Sequence, residues 1–401
     1  MQDYNFYQNT NTAAPDYLQR SFAGNMIRYA PNGMAPLYGL TSMLGEGQAL
    51  SVEHGYFSKT MLFPKVTLSS AVANATDEIF DVTDTSEIVP GELLRAQTTG
   101  EVVRVQSIIS ATQIRVLRQV GQVDAGAIAN EVVLYSIGSA FEQASLRPVS
   151  RLMNPVRVLN NTQIFRDSWA LPGTLEAIAP VVGDSLTAES RTDCGLFHSA
   201  AIERALIFGQ KSGQIVNGQY LTTMDGIVES VRRLAPAENT TTAGPTTDYD
   251  ELEEMLDPVF NTITNGRNGN NRTLFVGGTA RKVINQIGRK TGQYQIVDKQ
   301  TNFGLSFQTF TISRGTFNLI EHPQFNSNEH WSRMALAVDL PSLKIMNLRK
   351  TKNVEYGMDG KATDNGIDAV GGTLTTELTM EISNPSANAV IFGLTEGVAS
   401  S

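Results

Sequence analysis

The stretch VRVLNNTQIFRDSWALPGTLEAI, residues 156–178, decides how the chain is read. It is an apolar, β-prone run broken by amides, with Trp169 near its middle, and nothing in it looks like chemistry. Its meaning comes from what lies on either side. Upstream, residues 56–72 (YFSKTMLFPKVTLSSAV) read as a second extended strand. Between the two lie short β segments, EIFDV, GELLRAQ, EVVRVQSII, TQIRVLRQV and EVVLYSIG, separated by turn signals such as TTG at 98–100. Val103 and Val105 alternate with Arg104, and Ile114 and Val116 with Arg115, the period of half-buried strands. Strands at this spacing predict a small barrel or sandwich over about residues 74–138. The runs 56–72 and 156–171 therefore bracket an inserted β module, and two strands running out and back would make a projecting hairpin.

Downstream, residues 187–211 read as a helix, with Phe197, Ala201, Ala205 and Phe208 on one face and Leu196, Ala200 and Ile207 beside it. So broad an apolar surface predicts packing on more than one side. Arg204 falls within it, and either snorkels to water or pairs with an acid on a neighbour. In DYDELEEMLDPVFNTI, Asp248 with Glu251 forms a capping-box-like start and Pro258 should kink or split the helix. RTLFVGG reads as a buried strand and TARKVINQIG as a helix capped by Thr279. The β segments FQTFTISR, FNLIEH, RMALAVD, LKIMNLR and GTLTTELTMEISNPSANAVIFGL follow, so the fold class is α+β, a sheet flanked by helices. Residues 1–55 show weak periodicity but contain Tyr29, Leu37, Tyr38, Leu40 and Leu44, which fits an extended arm ordered against a partner.

Composition narrows the function. The chain has 401 residues, of which 18% are charged, below the ~25% of typical soluble domains, as in chains that hide surface in partners. A net charge of −9 argues against gripping nucleic acid, which needs a local Lys/Arg surplus. One cysteine, Cys194, cannot form an internal disulfide, so a reducing compartment is expected. The start lacks a basic and apolar leader, and no 18-residue apolar run exists, so neither a signal peptide nor a membrane span is expected.

Catalytic signatures are missing from the sequence. It contains no G-x-S-x-G, H-E-x-x-H or G-x-G-x-x-G. GRKTG at 288–292 lacks the spacing of a phosphate loop and ends a helix instead of opening one. The acids of EEMLD at 253–257 read as a solvated face, KVINQIGRK is too sparsely charged for a DNA-binding stripe, and His322 reads as a strand-end turn residue. The four histidines are scattered, so no metal or other cofactor is expected.

The order of these parts, and several phrases, resemble the major capsid proteins of tailed bacteriophages, the HK97-like fold. NNTQIF at 160–165 resembles the return strand of a subfamily with a β module inserted in the extended loop. Ile137, Gly138 and Ala140 before Glu142 resemble the phrase leaving that module, TMDGI at 223–227 the phrase after the spine helix, and TLTTELTMEISNPSANAVIFGL the final peripheral strands. The resemblance implies an arm (1–55), an extended loop (56–175), a peripheral domain with the spine helix (176–235), an axial domain (236–340) and closing peripheral strands (341–401). It implies hexamers and pentamers forming an icosahedral shell around double-stranded DNA, in a virion assembled in the bacterial cytoplasm. About 55 leading residues cannot hold a cleavable scaffolding domain, so a separate scaffolding protein is implied, with a portal protein and a possible decoration protein. DNA would be touched weakly and without sequence specificity. The residues implied as inter-subunit contacts are Trp169 and Phe165 of the return strand, Arg204 of the spine helix and Tyr38 of the arm; Trp169 is an anchor because aromatics dominate interface energy. Other virion components, such as tail or decoration proteins, or a hydrolase with a β insert, are the alternatives.

Overall fold

The computed structural model describes residues 35–59, 64–145, 147–150, 155–178, 185–262, 269–290, 301–302, 305–306, 308–356 and 368–395. It is an α+β protein in two compact units, one of residues up to 56 with 158–401, the other of residues 57–157.

Residues 1–34 of the expected arm lie outside the described residues. The rest is not loose. Helix α1 (Pro36–Leu44) has its proline in the first turn and ends at Gly45, whose φ of +112° is one that glycine adopts freely. It buries Leu37 and Leu40, and β1 (Glu46–Gln48) then pairs in parallel with Ile345–Asn347. This part of the arm is ordered against its own chain, because its apolar residues find a core there. Strand β2 (Glu53–Ser58) follows.

The second unit is a six-stranded barrel of β3 (Lys65–Thr67), β4 (Ile79–Asp81), β5 (Glu92–Ala96), β6 (Val102–Ser110), β7 (Gln113–Leu117) and β8 (Val133–Ser139), ordered β3-β8-β5-β6-β7-β4. All neighbours are antiparallel, and a bridge between Leu68 and Val82 closes the outer strands on one another. Closure removes the free edges that invite aggregation. The alternation read in the sequence fills the interior, with Leu94, Val103, Val105, Ile114, Val116 and Leu134 buried. The barrel starts earlier than expected, at Lys65 instead of 74, because Val66 and Leu68 point into its core. The run 56–72 is therefore not one strand.

Strand β9 (Val156–Asn161) pairs with β2, and β10 (Gln163–Pro172) runs antiparallel to Ala369–Leu378 for its full length. From Val158 onward the deciding stretch thus belongs to the first unit, where β10 pairs within the chain. A short α2 (Gly173–Glu176) precedes α3 (Leu186–Phe208), whose cap Ser185 accepts from Ala188 N at 3.4 Å. Next come the hairpin β11 (Ser212–Val216) and β12 (Gln219–Thr223), α4 (Ile227–Leu234), β13 (Thr240–Thr242) and α5 (Tyr249–Leu256). Asp248 caps α5 through Glu251 N at 2.9 Å, and at Pro258 the helix gives way to a 3-10 turn, as read. Then follow β14 (Asn271–Val276), α6 (Gly278–Lys290), β15 (Thr301–Asn302), β16 (Leu305–Ser306), β17 (Gln308–Thr311), β18 (Thr316–Glu321), α7 (Glu329–Ser332), β19 (Ala335–Val338), β20 (Leu343–Tyr356), β21 (Ala369–Ile382) and β22 (Ala389–Phe392). Thr279 is inside α6 and not its cap; Asn326 and Ser332 from another segment accept the first N–H groups instead.

Two larger sheets of the first unit are β1-β20-β21-β10 and β13-β22-β19-β14-β18-β17. The closing stretch splits between them, because β22 pairs with β13 and β19. One core cluster joins the sheets through α1 and α3, uniting Leu37, Leu206, Phe275, Leu336, Ile345 and Leu378. Each such side chain contributes roughly 1.5–3 kcal/mol on burial, so the expected peripheral and axial parts fold as one unit.

Candidate assembly interface

The apolar face of α3 read from the sequence is buried in part, with Ala200 and Ile207 enclosed and Ala205 and Phe208 packed against the core. Cys194, His198, Ile202, Glu203 and Leu206 are buried, whereas Phe197 is 66% exposed. The reason is that polar residues occupy the inner face. Glu203 Oε1 accepts from Leu37 N at 2.8 Å and Oε2 from Tyr38 N at 2.7 Å. These are first-turn N–H groups of α1, which have no partner within that helix, and a carboxylate there also meets the positive end of the helix dipole. His322 Nε2 donates to the same Oε1 at 2.7 Å. Three donors make the buried carboxylate tolerable.

Two other histidines make separate bridges between elements. His198 bridges Asp167 of β10 at 2.6 Å and Thr376 of β21 at 2.7 Å, and His54 of β2 meets Glu381 of β21 at 2.9 Å. Beside His54, the Tyr56 hydroxyl donates to Ile382 O. Burial pushes its phenol up to about 12, with the Glu381 carboxylate adding to the effect. None of Glu203, His198 or His54 was singled out in the sequence, because single polar residues on an apolar face carry no spacing signal.

Trp169 and Phe165, read as interface contacts, pack inside the chain. Trp169 is 5% exposed, against Leu171, Cys194 and Val370, and Arg191 lies 5.5 Å above its ring. Gly372 stands opposite it in register, where a Cβ would come within 2.8 Å of the indole nitrogen. Phe165 joins the main core and meets the His198 ring edge-on at 6.5 Å. Tyr38 is half-buried against that core; burial raises its pKa, with Glu46 adding to the rise. Only Arg204 is exposed.

The exposed apolar surface lies elsewhere. The hairpin β11–β12 turns at Asn217 and Gly218, both at positive φ, the Asn-Gly signature of a tight hairpin. It exposes Ile215 (77%), Tyr220 (65%), Val216 and Leu221. The Asn217–Gly218 pair was present in the sequence but was not singled out there. Leu196 and Phe197 add a second exposed apolar pair on α3.

Among the described residues no cluster of three or more His, Cys, Asp or Glu could hold a metal, and no helix is long and apolar enough to cross a membrane. The arrangement can hold a subunit together and present apolar and charged faces to others. The model of the SU10 major capsid protein family matches residues 3–395. The chain belongs to the SU10 major capsid protein family. It is 36% identical over 399 residues to a major capsid protein of Pseudomonas phage PaMx41, covering 96% of this chain and 95% of that protein. Among solved structures it is similar to one from Mycobacterium phage Bobi (TM-score 0.49, 9% identity, 97% of this chain and 99% of that one). It is also similar to the capsid of a native GTA particle (TM-score 0.47, 8% identity, 98% and 100%). This major capsid protein is a structural, shell-forming component of a phage particle. Its arm helix, small barrel, long helix and larger sheets occur in the chain order read from the sequence.

Proposed function

We propose that this capsid protein assembles into hexamers and pentamers that close an icosahedral head around double-stranded DNA, in the host cytoplasm. A separate scaffolding protein guides closure, a portal protein occupies one vertex, and a decoration protein can add to the outside. The chain performs no reaction and holds no cofactor. DNA is contacted weakly, in keeping with the net charge of −9.

The observation that carries this reading is the β11–β12 hairpin. A two-stranded ribbon is marginal in water by itself, yet this one exposes four large apolar side chains. A neighbouring subunit that covers it would bury that surface and fix its strands. Many modest interfaces of this kind sum over a closed lattice.

The test is a double substitution, Ile215→Ser with Tyr220→Ser, in the chain coexpressed with its scaffolding protein. Subunit unfolding should change by no more than ~0.5 kcal/mol, as for surface sites, while sedimentation shows loss of shells. Normal shells from the variant would contradict the reading.

A further inference from the structure

A second surface of the first unit is unpartnered, and its character is electrostatic. On the solvent side of the four-stranded sheet, Arg166 of β10 and Arg349, Lys350 and Lys352 of β20 line a groove of about 490 Å³ with Ile164 and Val354 at its margins. In register, Arg166 and Lys352 flank Thr375 on either side of β21. Arg349 is held by Glu377 at 2.6 Å, but Arg166, Lys350 and Lys352 form no ion pair among the described residues. These cations gather positive charge on one face in a chain of net charge −9.

The same unit carries the opposite charge on another face. A groove of about 860 Å³ beside α5 is lined by Glu238, Asp250, Glu253, Glu254 and Asp257. Two of these acids are engaged at home, Glu253 by Ser313 N at 3.0 Å and Asp257 by Arg314 at 2.7 Å. Asp250 and Glu254 are exposed, four residues apart on α5, and form no ion pair among the described residues. Like charges at that spacing cost helix stability unless a cation covers them. Burial raises the Tyr249 phenol, and the adjacent Glu253 and Asp250 carboxylates raise it further, in line with a negative local field.

We propose that the basic face of the four-stranded sheet docks a second copy of this chain through the acidic face of that copy's α5. This rests on the capsid reading above and adds the register of one of its contacts. The basic charges lie on the four-stranded sheet and the acidic ones on and beside α5 of the same compact unit, so a copy that uses its basic face on one neighbour keeps its acidic face for the next. Such a head-to-tail contact closes into a ring when the rotation per subunit allows it. Complementary charge sets register and speeds encounter more than it adds raw affinity. A phosphate backbone is the less suitable occupant. Glu377 lies within the basic face, no aromatic ring lines the groove, and the acidic face is supplied at equal number by every copy.

The experiment is a charge swap in the full chain, coexpressed with its scaffolding protein and read by sedimentation and negative-stain microscopy. Lys350→Glu with Lys352→Glu should cut shell yield by about tenfold or more, since like charges then face one another. Asp250→Lys with Glu254→Lys should do the same, and the combined four-site variant should recover shells. Circular dichroism and thermal unfolding monitor the fold. If a reversed variant does not fold, the neutral pairs Lys350→Gln with Lys352→Gln and Asp250→Asn with Glu254→Gln replace it, each expected to lower yield without a change in unfolding. Wild-type yield from either two-site variant would overturn the proposal, as would a folded four-site variant that stays unassembled. Normal shells with reduced DNA content from the Lys350/Lys352 variant would assign the face to nucleic acid and likewise overturn it. These results leave the capsid reading intact, whereas a wild-type chain that forms no shells refutes both.

Discussion

His322 Nε2 lies 2.7 Å from Glu203 Oε1, and both side chains are fully enclosed. The pair joins the end of β18 to the long helix α3, and the same carboxylate holds the first turn of α1. One residue of α3 thus fixes both the arm helix and the six-stranded sheet. Removing it leaves a buried imidazole and two backbone N–H groups without their acceptor.

Glu203→Ala is therefore expected to destabilise the subunit by about 3–5 kcal/mol, the range for breaking a buried pair on one side. Denaturant unfolding of the purified subunit measures this. Hydrogen exchange over residues 36–44 should accelerate beyond the global change, because α1 loses its cap. A cost under about 1 kcal/mol, the scale of a surface ion pair, would show that the pair does not organise the subunit.

Little of this hub was legible in the sequence, whereas much of the fold was. The barrel was readable because Val103, Val105, Ile114 and Val116 alternate with arginines, and α5 because Asp248 and Pro258 mark its ends. The face of α3 was misread in part, because Phe197 is exposed while Glu203 and His198 are buried beside Ala200 and Ile207, and periodicity assigns faces by hydrophobicity alone. Trp169 was expected at an interface because the capsid resemblance lays its strand across a neighbour and aromatics dominate interface energy; its partner β21 lies some two hundred residues away, and strand pairing at that separation leaves no local signal.

Trp169→Ala should now act on folding first. The side chain is enclosed by Leu171, Cys194 and Val370, so truncation should cost about 3–5 kcal/mol of subunit stability, as for buried Trp in general. Thermal unfolding of the unassembled subunit checks it. A subunit of unchanged stability that fails to assemble would return Trp169 to the interface.

The barrel should fold alone. Residues 64–145 contain its six strands, its closing bridge and its own core cluster. Expressed as a fragment, it should show dispersed amide signals and a cooperative, though shallow, thermal transition, since small domains bury only ~60% of their unfolded surface. Inside it, Arg118 makes a two-bonded pair with Glu101 at 2.9 and 2.6 Å and also donates to Asn74 O and Gly126 O. Arg118→Ala strands the buried Glu101 carboxylate, and the loss of about 3–5 kcal/mol should unfold the fragment. A folded Arg118→Ala fragment would mean that the pair is dispensable.

Alkaline pH should weaken the subunit through Tyr56. Its phenol titrates near 12 when folded, against 10.0 for an ordinary tyrosine. A raised folded value means that its stabilising share is complete below pH 10 and is lost as pH rises through about 12. Denaturation midpoints followed across that window should fall, and Tyr56→Phe should make the fall shallower. An identical slope in the variant would remove Tyr56 from the alkaline response.

The most direct test of the central claim is a cryo-electron microscopy reconstruction of particles formed by the wild-type chain with its scaffolding protein. The expected result is a closed shell of hexamers and pentamers in which Ile215 and Tyr220 of the β11–β12 hairpin are buried against a neighbouring subunit. A chain that remains monomeric at every concentration, or a shell in which that hairpin faces solvent on all sides, would contradict the account.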